Sequence, residues 1–173
     1  MPLTGEYLGR PVAINDLDTA NQAFYRHCAS GALHLQHCSA CDLMRYPTTT
    51  ACPWCAQPEY GWKPVSGKGT LYSYTEVHHA IDPGFRPFTP YLILLVELDE
   101  QAGQPTAHEA LRVNGNLAGP GGELASAALV RTVGIGSRLK VVFKDLGQGI
   151  ALPLWTLDDE AEQPAEPWRY PGE

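Results

Sequence analysis

Five segments in the second half of the chain have the apolar patterns of β-strands. They are TLYSYTEVH, YLILLVELD, EALRVNGNL, SRLKVVFKDL and GIALPLWTL, at residues 70–78, 91–99, 109–117, 137–146 and 149–157. Short runs that are rich in β-branched and aromatic residues, and are separated by Gly and Pro, are typical of small barrels. The pattern therefore predicts a five-stranded β-barrel over residues 65–157.

The first two segments differ in where their apolar residues lie. The first alternates between two faces of a strand. One face is predicted to carry Leu71, Ser73, Thr75 and Val77, and the other Tyr72, Tyr74, Glu76 and His78. The second segment is apolar almost throughout, so we expect it to be buried on both faces. Between the third and fourth segments, residues 123–130 suit one short helix, where a five-stranded OB-fold barrel carries its helix.

A short amphipathic helix is predicted near the N-terminus, over residues 20–30 (ANQAFYRHCAS). Thr19 is the predicted cap, because a side-chain hydroxyl there accepts hydrogen bonds from the first free N–H groups. Gly31 suits the left-handed position that ends a helix. One stripe of this helix needs a partner surface and consists of Ala20, Ala23, Phe24 and His27.

The overall composition narrows the class of protein. With 44% hydrophobic and 18% charged residues among 173, the chain is expected to fold around a core, as one ordinary domain plus a smaller module. The net charge of −7 argues against a large surface for binding nucleic acid, which needs Lys and Arg. Neither a long apolar run nor a cationic, apolar leader is found, so we predict a cytoplasmic protein without a membrane segment.

Two C-x-x-C pairs stand close together in HCSACDLMRYPTTTACPWC, at residues 37–55. Each pair suits a tight turn that points two sulfurs at one ion, and two such turns complete a closed tetrahedral zinc site. The segments HLQHC, LMRYP and EYGWKPV are predicted as the short strands of this ribbon. The predicted ligands are Cys38, Cys41, Cys52 and Cys55.

Other interpretations of these thiols remain open. Iron fits the same tetrahedral sulfur cage as zinc. A redox dithiol normally needs one C-x-x-C pair that opens a helix, and four unrelated buried cysteines are the third alternative. Since all four positions are filled by thiols, we expect a structural metal rather than one that activates water. Cys28 is predicted to be a small buried residue outside the site.

The predicted organisation has four parts. Residues 1–36 form an N-terminal arm with the helix, residues 37–64 the zinc ribbon, and residues 65–157 the barrel. Residues 158–173 are acidic and rich in Pro, and are predicted to be a flexible tail or to wrap on a partner. The long connections at residues 80–90 and 99–108 are candidates for functional contacts, because loops of that length in a compact domain are often functional.

The order of these motifs resembles that of the acyl-CoA-associated OB-fold proteins with an N-terminal rubredoxin-like zinc ribbon. The segments that carry the resemblance lie within residues 24–157 and are LHLQHCSACDLMRYP, ACPWC, VSGKGTLYSYTEVHHA, PFTPYLILLVELDE and LKVVFKDL with IALPLW. The resemblance implies a mainly β fold, in which a helix and zinc ribbon precede a five-stranded OB-fold barrel. It also assigns the metal ligands to the same four cysteines.

Members of that family act as non-catalytic partners of thiolase-fold proteins in acyl-CoA metabolism. The resemblance therefore implies an accessory subunit of a catabolic complex, a heterotetramer or larger, whose substrate is a CoA thioester. A thiolase partner is our first expectation, and a retro-aldolase that shortens a steroid side chain is the alternative. No catalytic residue is expected in this chain.

Substrate and partner contacts are expected around the loop that follows the first barrel strand. The resemblance places the acyl-CoA path near His78, His79, Phe85, Arg86, Pro87, Phe88 and Tyr91. Arg86 suits a CoA phosphate, because guanidinium binds phosphate through two hydrogen bonds. The same residue types are also enriched in the cores of protein interfaces.

A module for single-stranded nucleic acid is the interpretation from a different functional class. Tyr72, Tyr74 and Tyr91 could stack on bases. The cations that would contact phosphates are spread over several strands, as Lys63, Lys68, Arg131, Arg138, Lys140 and Lys144. The acidic balance makes this interpretation the weaker one.

The chain departs from the family pattern at two places. Asp42 follows the first C-x-x-C pair where Gly is usual, and Asp tolerates the left-handed backbone expected there. Residues 99–130 are longer than the usual connection, which makes them a candidate for a partner-specific or substrate-specific contact.

Overall fold

A computed structural model describes residues 1–171, and the predicted mainly β architecture with an OB-fold barrel is confirmed. The elements are β1 (Leu3–Tyr7), β2 (Arg10–Ile14), α1 (Thr19–Ala29), β3 (His34–Cys38), β4 (Met44–Arg45), β5 (Tyr60–Pro64), β6 (Lys68–Val77), β7 (Tyr91–Leu98), β8 (Arg112–Asn116), α2 (Ala127–Val130), β9 (Arg138–Gly147) and β10 (Ile150–Leu157). Within the described residues, neither α1 nor α2 has the length and apolar character needed to span a membrane.

The barrel is a five-stranded antiparallel sheet that closes on itself. Its strand order is β10-β9-β6-β7-β8. The barrel closes where the end of β8 meets β10. There Leu117 forms a parallel bridge with Trp155, and the Ala118 N–H donates to the Trp155 carbonyl at 2.7 Å. All five predicted barrel strands are therefore present. The interior is filled by fully buried side chains that include Leu94, Val96 and Leu139.

Two predictions about the faces of these strands were wrong. A β-bulge at Tyr72 shifts the register between Leu71 and Ser73, so the alternation of β6 reverses and Tyr74 packs partly against the core. On β7, Ile93 is 39% exposed, so this strand is buried on one face only. An antiparallel barrel strand keeps one outward face, and the apolar composition of β7 does not require that face to be covered.

Both predicted helices are present with different ends. The cap of α1 is Asp18 rather than Thr19, because the Asp18 carboxylate accepts from the Asn21 N–H at 3.1 Å. Gly31 has the predicted left-handed φ, +81°. The second helix covers only Ala127–Val130, since Leu124 instead forms an antiparallel bridge with Ala118.

An N-terminal hairpin, β1 with β2, is absent from the sequence predictions. Its turn uses Leu8 and Gly9, with φ values of 51° and 71°, as hairpin turns of the primed type require. The hairpin lies against one end of the barrel, where a Cβ on Gly5 would stand 2.4 Å from the Leu146 carbonyl oxygen. Tyr7 and Ile14 form a second small core there with Leu146 and Ile150.

The C-terminal segment contacts the barrel instead of leaving it. Trp168 and Ile135 exchange backbone hydrogen bonds of 2.8 and 3.1 Å. The Arg169 guanidinium donates to the Val130 carbonyl at 2.6 Å and to the Glu76 carboxylate at 3.1 Å. The acidic, Pro-rich composition does not predict these contacts. The last two residues of the predicted tail, 172–173, lie outside the described residues, and the predicted domain boundaries stay predictions.

Candidate metal centre and the loop after β6

The four predicted ligands lie together in the three-stranded ribbon, whose strand order is β4-β3-β5. Their Sγ atoms are all within 4.8 Å of one another. Cys38 and Cys55 are 3.6 Å apart at sulfur, and Cys41 and Cys52 are 3.5 Å apart. A tetrahedral site with metal–sulfur bonds of about 2.3 Å separates its sulfurs by roughly 3.8 Å. The four thiols therefore fit one metal ion.

The two halves of the cluster repeat the same backbone turn. In the first, the Asp42 N–H donates to the Cys38 carbonyl at 3.2 Å, and in the second the Ala56 N–H donates to the Cys52 carbonyl at 2.9 Å. Asp42 and Ala56 have φ values of 63° and 61°. The predicted left-handed conformation of Asp42 is confirmed, and its carboxylate lies 2.6 Å from the His37 Nε2.

Backbone N–H groups lie around the Cys38 sulfur and favour its ionised form. The N–H groups of Cys41 and Ala40 lower the pKa of the Cys38 thiol to about 6. A lowered pKa favours the thiolate of Cys38, which is the form that binds metal. Cys28 differs, since burial raises the pKa of its thiol to about 12 and it packs in the main core. Its predicted place outside the cluster agrees with this position.

One side chain fastens the ribbon to the barrel. Gln101, in the short 3₁₀ turn Asp99–Gln101 after β7, accepts from the Met44 N–H at 2.7 Å and donates to the Met44 carbonyl at 3.0 Å. It thus pairs with β4 as a neighbouring strand would. Gln101 and Met44 are both buried, and the Tyr46 hydroxyl adds a bond to Asn114 at 3.0 Å.

The predicted contact residues after β6 divide into an aromatic group and a solvent-facing group. Phe85 packs between Tyr7, in an edge-to-face contact, and Tyr91, whose ring is tilted against it, with ring centroids 5.8 and 5.2 Å away. His78 and His79 lie elsewhere and are exposed, and His78 Nε2 is 3.5 Å from the Glu76 carboxylate. The structure brings together Phe85 and Tyr91 but not the two histidines.

Arg86 and Phe88 form the short 3₁₀ turn of the same loop. The Arg86 guanidinium donates to the carbonyls of Ala80 and Ile81, each at 3.3 Å, and so holds its own loop together. Phe88 is exposed beside it. The assignment of this loop to substrate or partner contact stays a prediction.

The structure gives little support to nucleic-acid binding. The Arg112 guanidinium lies 3.6 Å from the centre of the Tyr72 ring and covers one of its faces, and Tyr91 is buried. Lys68 pairs with Asp158 and Glu160 at 3.2 and 3.0 Å. Arg138 pairs with Asp99, and Lys140 with Asp159. These cations are already neutralised by carboxylates.

Sequence reasoning missed two sets of aromatic residues that lie beside the predicted contact residues. Tyr7, from the hairpin, completes the aromatic group around Phe85. Trp168 and Tyr170, from the C-terminal segment, are exposed on either side of the partly buried Arg169 contacts. The signal that could have revealed the latter is the aromatic–Arg–aromatic triplet WRY in an otherwise acidic segment.

Comparison with solved structures supports the fold over most of the chain. One chain of a structure described as an Ltp2–ChsH2(DUF35) aldolase is 26% identical to this chain and has a TM-score of 0.63. The superposition covers 84% of this chain and 98% of the other. A DUF35-family protein from Sulfolobus solfataricus has the same fold, with 15% identity and a TM-score of 0.51 over 82% of this chain and 87% of its own.

Two curated relatives are similar over shorter stretches. A protein of Thermomonospora curvata, named Probable enoyl-CoA hydratase alpha subunit, is 34% identical over 80 residues, which are 46% of this chain and 24% of the relative. A DUF35 domain-containing scaffold protein of Methanocaldococcus jannaschii is 35% identical over 78 residues, 44% of this chain and 52% of its own length. The chain thus spans about a quarter and about half of these two relatives.

The family comparison covers the barrel itself. Residues 62–144 match the family model described as the ChsH2 C-terminal OB-fold domain. The match begins in β5 and ends in β9, so it contains the first three barrel strands and most of the fourth. The part of the chain that follows the four-cysteine cluster is therefore similar in sequence to a ChsH2 C-terminal OB-fold domain.

Proposed function

We propose that this chain is a non-catalytic accessory subunit of a thiolase-fold enzyme that breaks or makes a carbon–carbon bond in a CoA thioester. The observation that carries the proposal is its likeness, over nearly the whole length of the other chain, to a component of an aldolase described as a pair of proteins. The names of the two curated relatives, a scaffold protein and an alpha subunit, support a role within an assembly.

The metal centre has a structural role in this account. We assign zinc to Cys38, Cys41, Cys52 and Cys55, in a site whose four thiolates leave no position for water. Gln101 couples the ribbon to the barrel, so the metal also fixes the surface that the two modules share. A cytoplasmic location, where thiols stay reduced, agrees with this use of cysteine.

The loop at residues 80–90 is the proposed contact with the partner and its acyl-CoA. Its aromatic base is fixed by the Phe85–Tyr91 contact, whereas Ile81 and Phe88 are exposed at its surface. Exposed apolar residues on a fixed loop suit the core of a protein interface. We also assign substrate contacts to Arg86 in this loop, and to His78 and His79 in the exposed stretch that precedes it.

Two bond-breaking reactions remain for the partner, and they differ in their use of free CoA. A thiolase consumes one CoA thiol for each 3-ketoacyl-CoA that it cleaves and releases two thioesters. A retro-aldolase cleaves a 3-hydroxyacyl-CoA into one carbonyl compound and one thioester, without consuming a thiol. A thiolase partner was the expectation from the resemblance, and the aldolase in the structural comparison favours the second reaction.

The test is to reconstitute the complex from this chain and a thiolase-fold protein of the same genome. We expect turnover to be roughly 10- to 100-fold faster than with the partner alone, because a completed channel positions the substrate. Free thiol measured during turnover assigns the reaction. Equal rates with and without this chain would contradict the accessory role.

A matched pair of variants tests the contact loop in the same system. Ile81 and Leu17 are 88% and 89% exposed, so a charge at either position should leave the fold intact. We expect Ile81→Asp to weaken partner binding at least roughly tenfold, since it places a charge in the core of the interface, and Leu17→Asp to leave it unchanged. Equal effects of the two substitutions would remove the loop from the interface.

A further inference from the structure

The contact loop, residues 80–90, is held internally by local turns. Its backbone bonds join neighbouring residues, as between the Phe88 N–H and the Phe85 carbonyl at 3.0 Å. Fixing a flexible loop on binding costs conformational entropy for each residue that becomes ordered. A loop that other parts of the fold order beforehand therefore binds its partner more tightly.

The N-terminal hairpin contacts this loop through two side chains. The rings of Tyr7 and Phe85 make an edge-to-face contact, and Phe85 also packs against the small core that Tyr7 forms with Leu146. The Arg10 guanidinium is 3.4 Å from the Asp82 carboxylate. Both side chains of this ion pair are about half exposed, so the aromatic contact contributes more to holding the loop.

The backbones of the loop and the hairpin approach each other most closely at Gly84. A Cβ on Gly84 would stand 2.8 Å from the Arg10 Cγ and 2.9 Å from the Leu8 carbonyl oxygen, which is closer than Cβ atoms come in proteins. Glycine is required here by this approach and not by its φ, which lies outside the left-handed region. The loop therefore rests directly on the turn of the hairpin.

The hairpin is itself seated on the β9–β10 turn, at a distance from the loop. A Cβ on Gly5 would clash with the Leu146 carbonyl oxygen, and the Thr4 hydroxyl donates to the Gln148 side-chain oxygen at 2.9 Å. In OB folds, the loops after the first and the fourth strand are those that contact ligands. Here these are the contact loop and the β9–β10 turn, and the hairpin joins them.

We propose that the N-terminal hairpin is a positioning element, which holds the contact loop in its binding conformation before the partner subunit arrives. Gly5 seats the hairpin on the barrel, and Gly84 lets the loop rest on it. The hairpin thus raises the affinity for the partner through the loop. This inference rests on the proposed function, because the contact between this loop and the partner is part of that function.

Two glycine substitutions test the positioning in the full chain without a partner. Gly5→Ala lifts the hairpin from the barrel at a residue that packs on Leu146, and Gly84→Ala separates loop and hairpin directly. We expect the amide of Phe88 to exchange its hydrogen several-fold faster in both variants. Gly61→Ala is the matched control, since a Cβ there would meet no atom within 4 Å. Unchanged exchange in both variants would overturn the proposal, whatever the partner does.

Binding kinetics with the thiolase-fold partner separate positioning from direct contact. A loop that is correctly placed for only part of the time lowers the association rate by that fraction, so Gly5→Ala should slow association at least roughly threefold and leave dissociation unchanged. Loss of a direct contact, as in Ile81→Asp, should instead speed dissociation. If Ile81→Asp weakens binding and Gly5→Ala does not, the proposal is overturned while the contact stands. If neither weakens binding, the contact assigned under the proposed function fails, and the positioning role fails with it.

Discussion

Replacing Cys38 and Cys41 with Ser is expected to remove one metal ion per chain and to unfold the ribbon. The ribbon strands are short, with β4 only two residues long, so they cannot bury enough surface to be stable alone. Structural zinc contributes about 10–16 kcal/mol in small zinc modules, which is comparable to the whole stability of an ordinary domain. Metal content per chain and amide hydrogen exchange in β3, β4 and β5 measure the effect.

A cysteine outside the cluster provides the control. Cys28→Ala should keep the full metal content, because Cys28 is packed in the main core and not in the ribbon cluster. The account also expects the doubly substituted chain to lose its partner, since the ribbon is joined to the barrel through buried residues. Full retention of metal and of partner binding in the double variant would contradict the structural role of the site.

Gln101→Leu is expected to separate the ribbon from the barrel without emptying the metal site. The substitution leaves the N–H and carbonyl of Met44 buried and unpaired, where Gln101 now bonds both. Each of the two unsatisfied groups costs about 1–3 kcal/mol, so the free energy of unfolding should fall by roughly 2–6 kcal/mol. Chemical denaturation measures this change.

The design of the Gln101 experiment distinguishes coupling from metal binding. Gln104 lies on the same connection but is exposed, so Gln104→Leu should change the free energy of unfolding by less than roughly 0.5 kcal/mol. Metal content should stay at one ion per chain in both variants. A loss of metal in Gln101→Leu, or equal stability of the two variants, would mean that the contact does not couple the modules.

The metal cluster and the barrel could be predicted because their signals are local. Two C-x-x-C pairs carry their own turn geometry, and the left-handed Asp42 follows from the need to turn after Cys41. The five barrel strands follow from apolar runs bounded by Gly and Pro. The helix end at Gly31 has the same origin, since glycine supplies the positive φ that the chain needs there.

The features that escaped prediction depend on contacts between distant residues. The hairpin contains Pro11 and a Leu–Gly turn, and it is stabilised by Leu146 and Phe85 from the barrel rather than by its own pattern. The bulge at Tyr72 inserts one residue that no alternation rule foresees, and it reverses the faces of β6. Gln101 is one amide among several in a polar loop, and only the fold brings it to Met44.

The accessory role is tested most directly by the composition of the complex in the native host. The tagged chain is purified under native conditions, and its mass, subunit ratio and metal content are determined after gel filtration. We expect a complex in integral ratio with a thiolase-fold protein, at least two copies of each, with one zinc ion per copy of this chain. Elution as a lone chain, or with nucleic acid in place of a protein partner, would contradict the account.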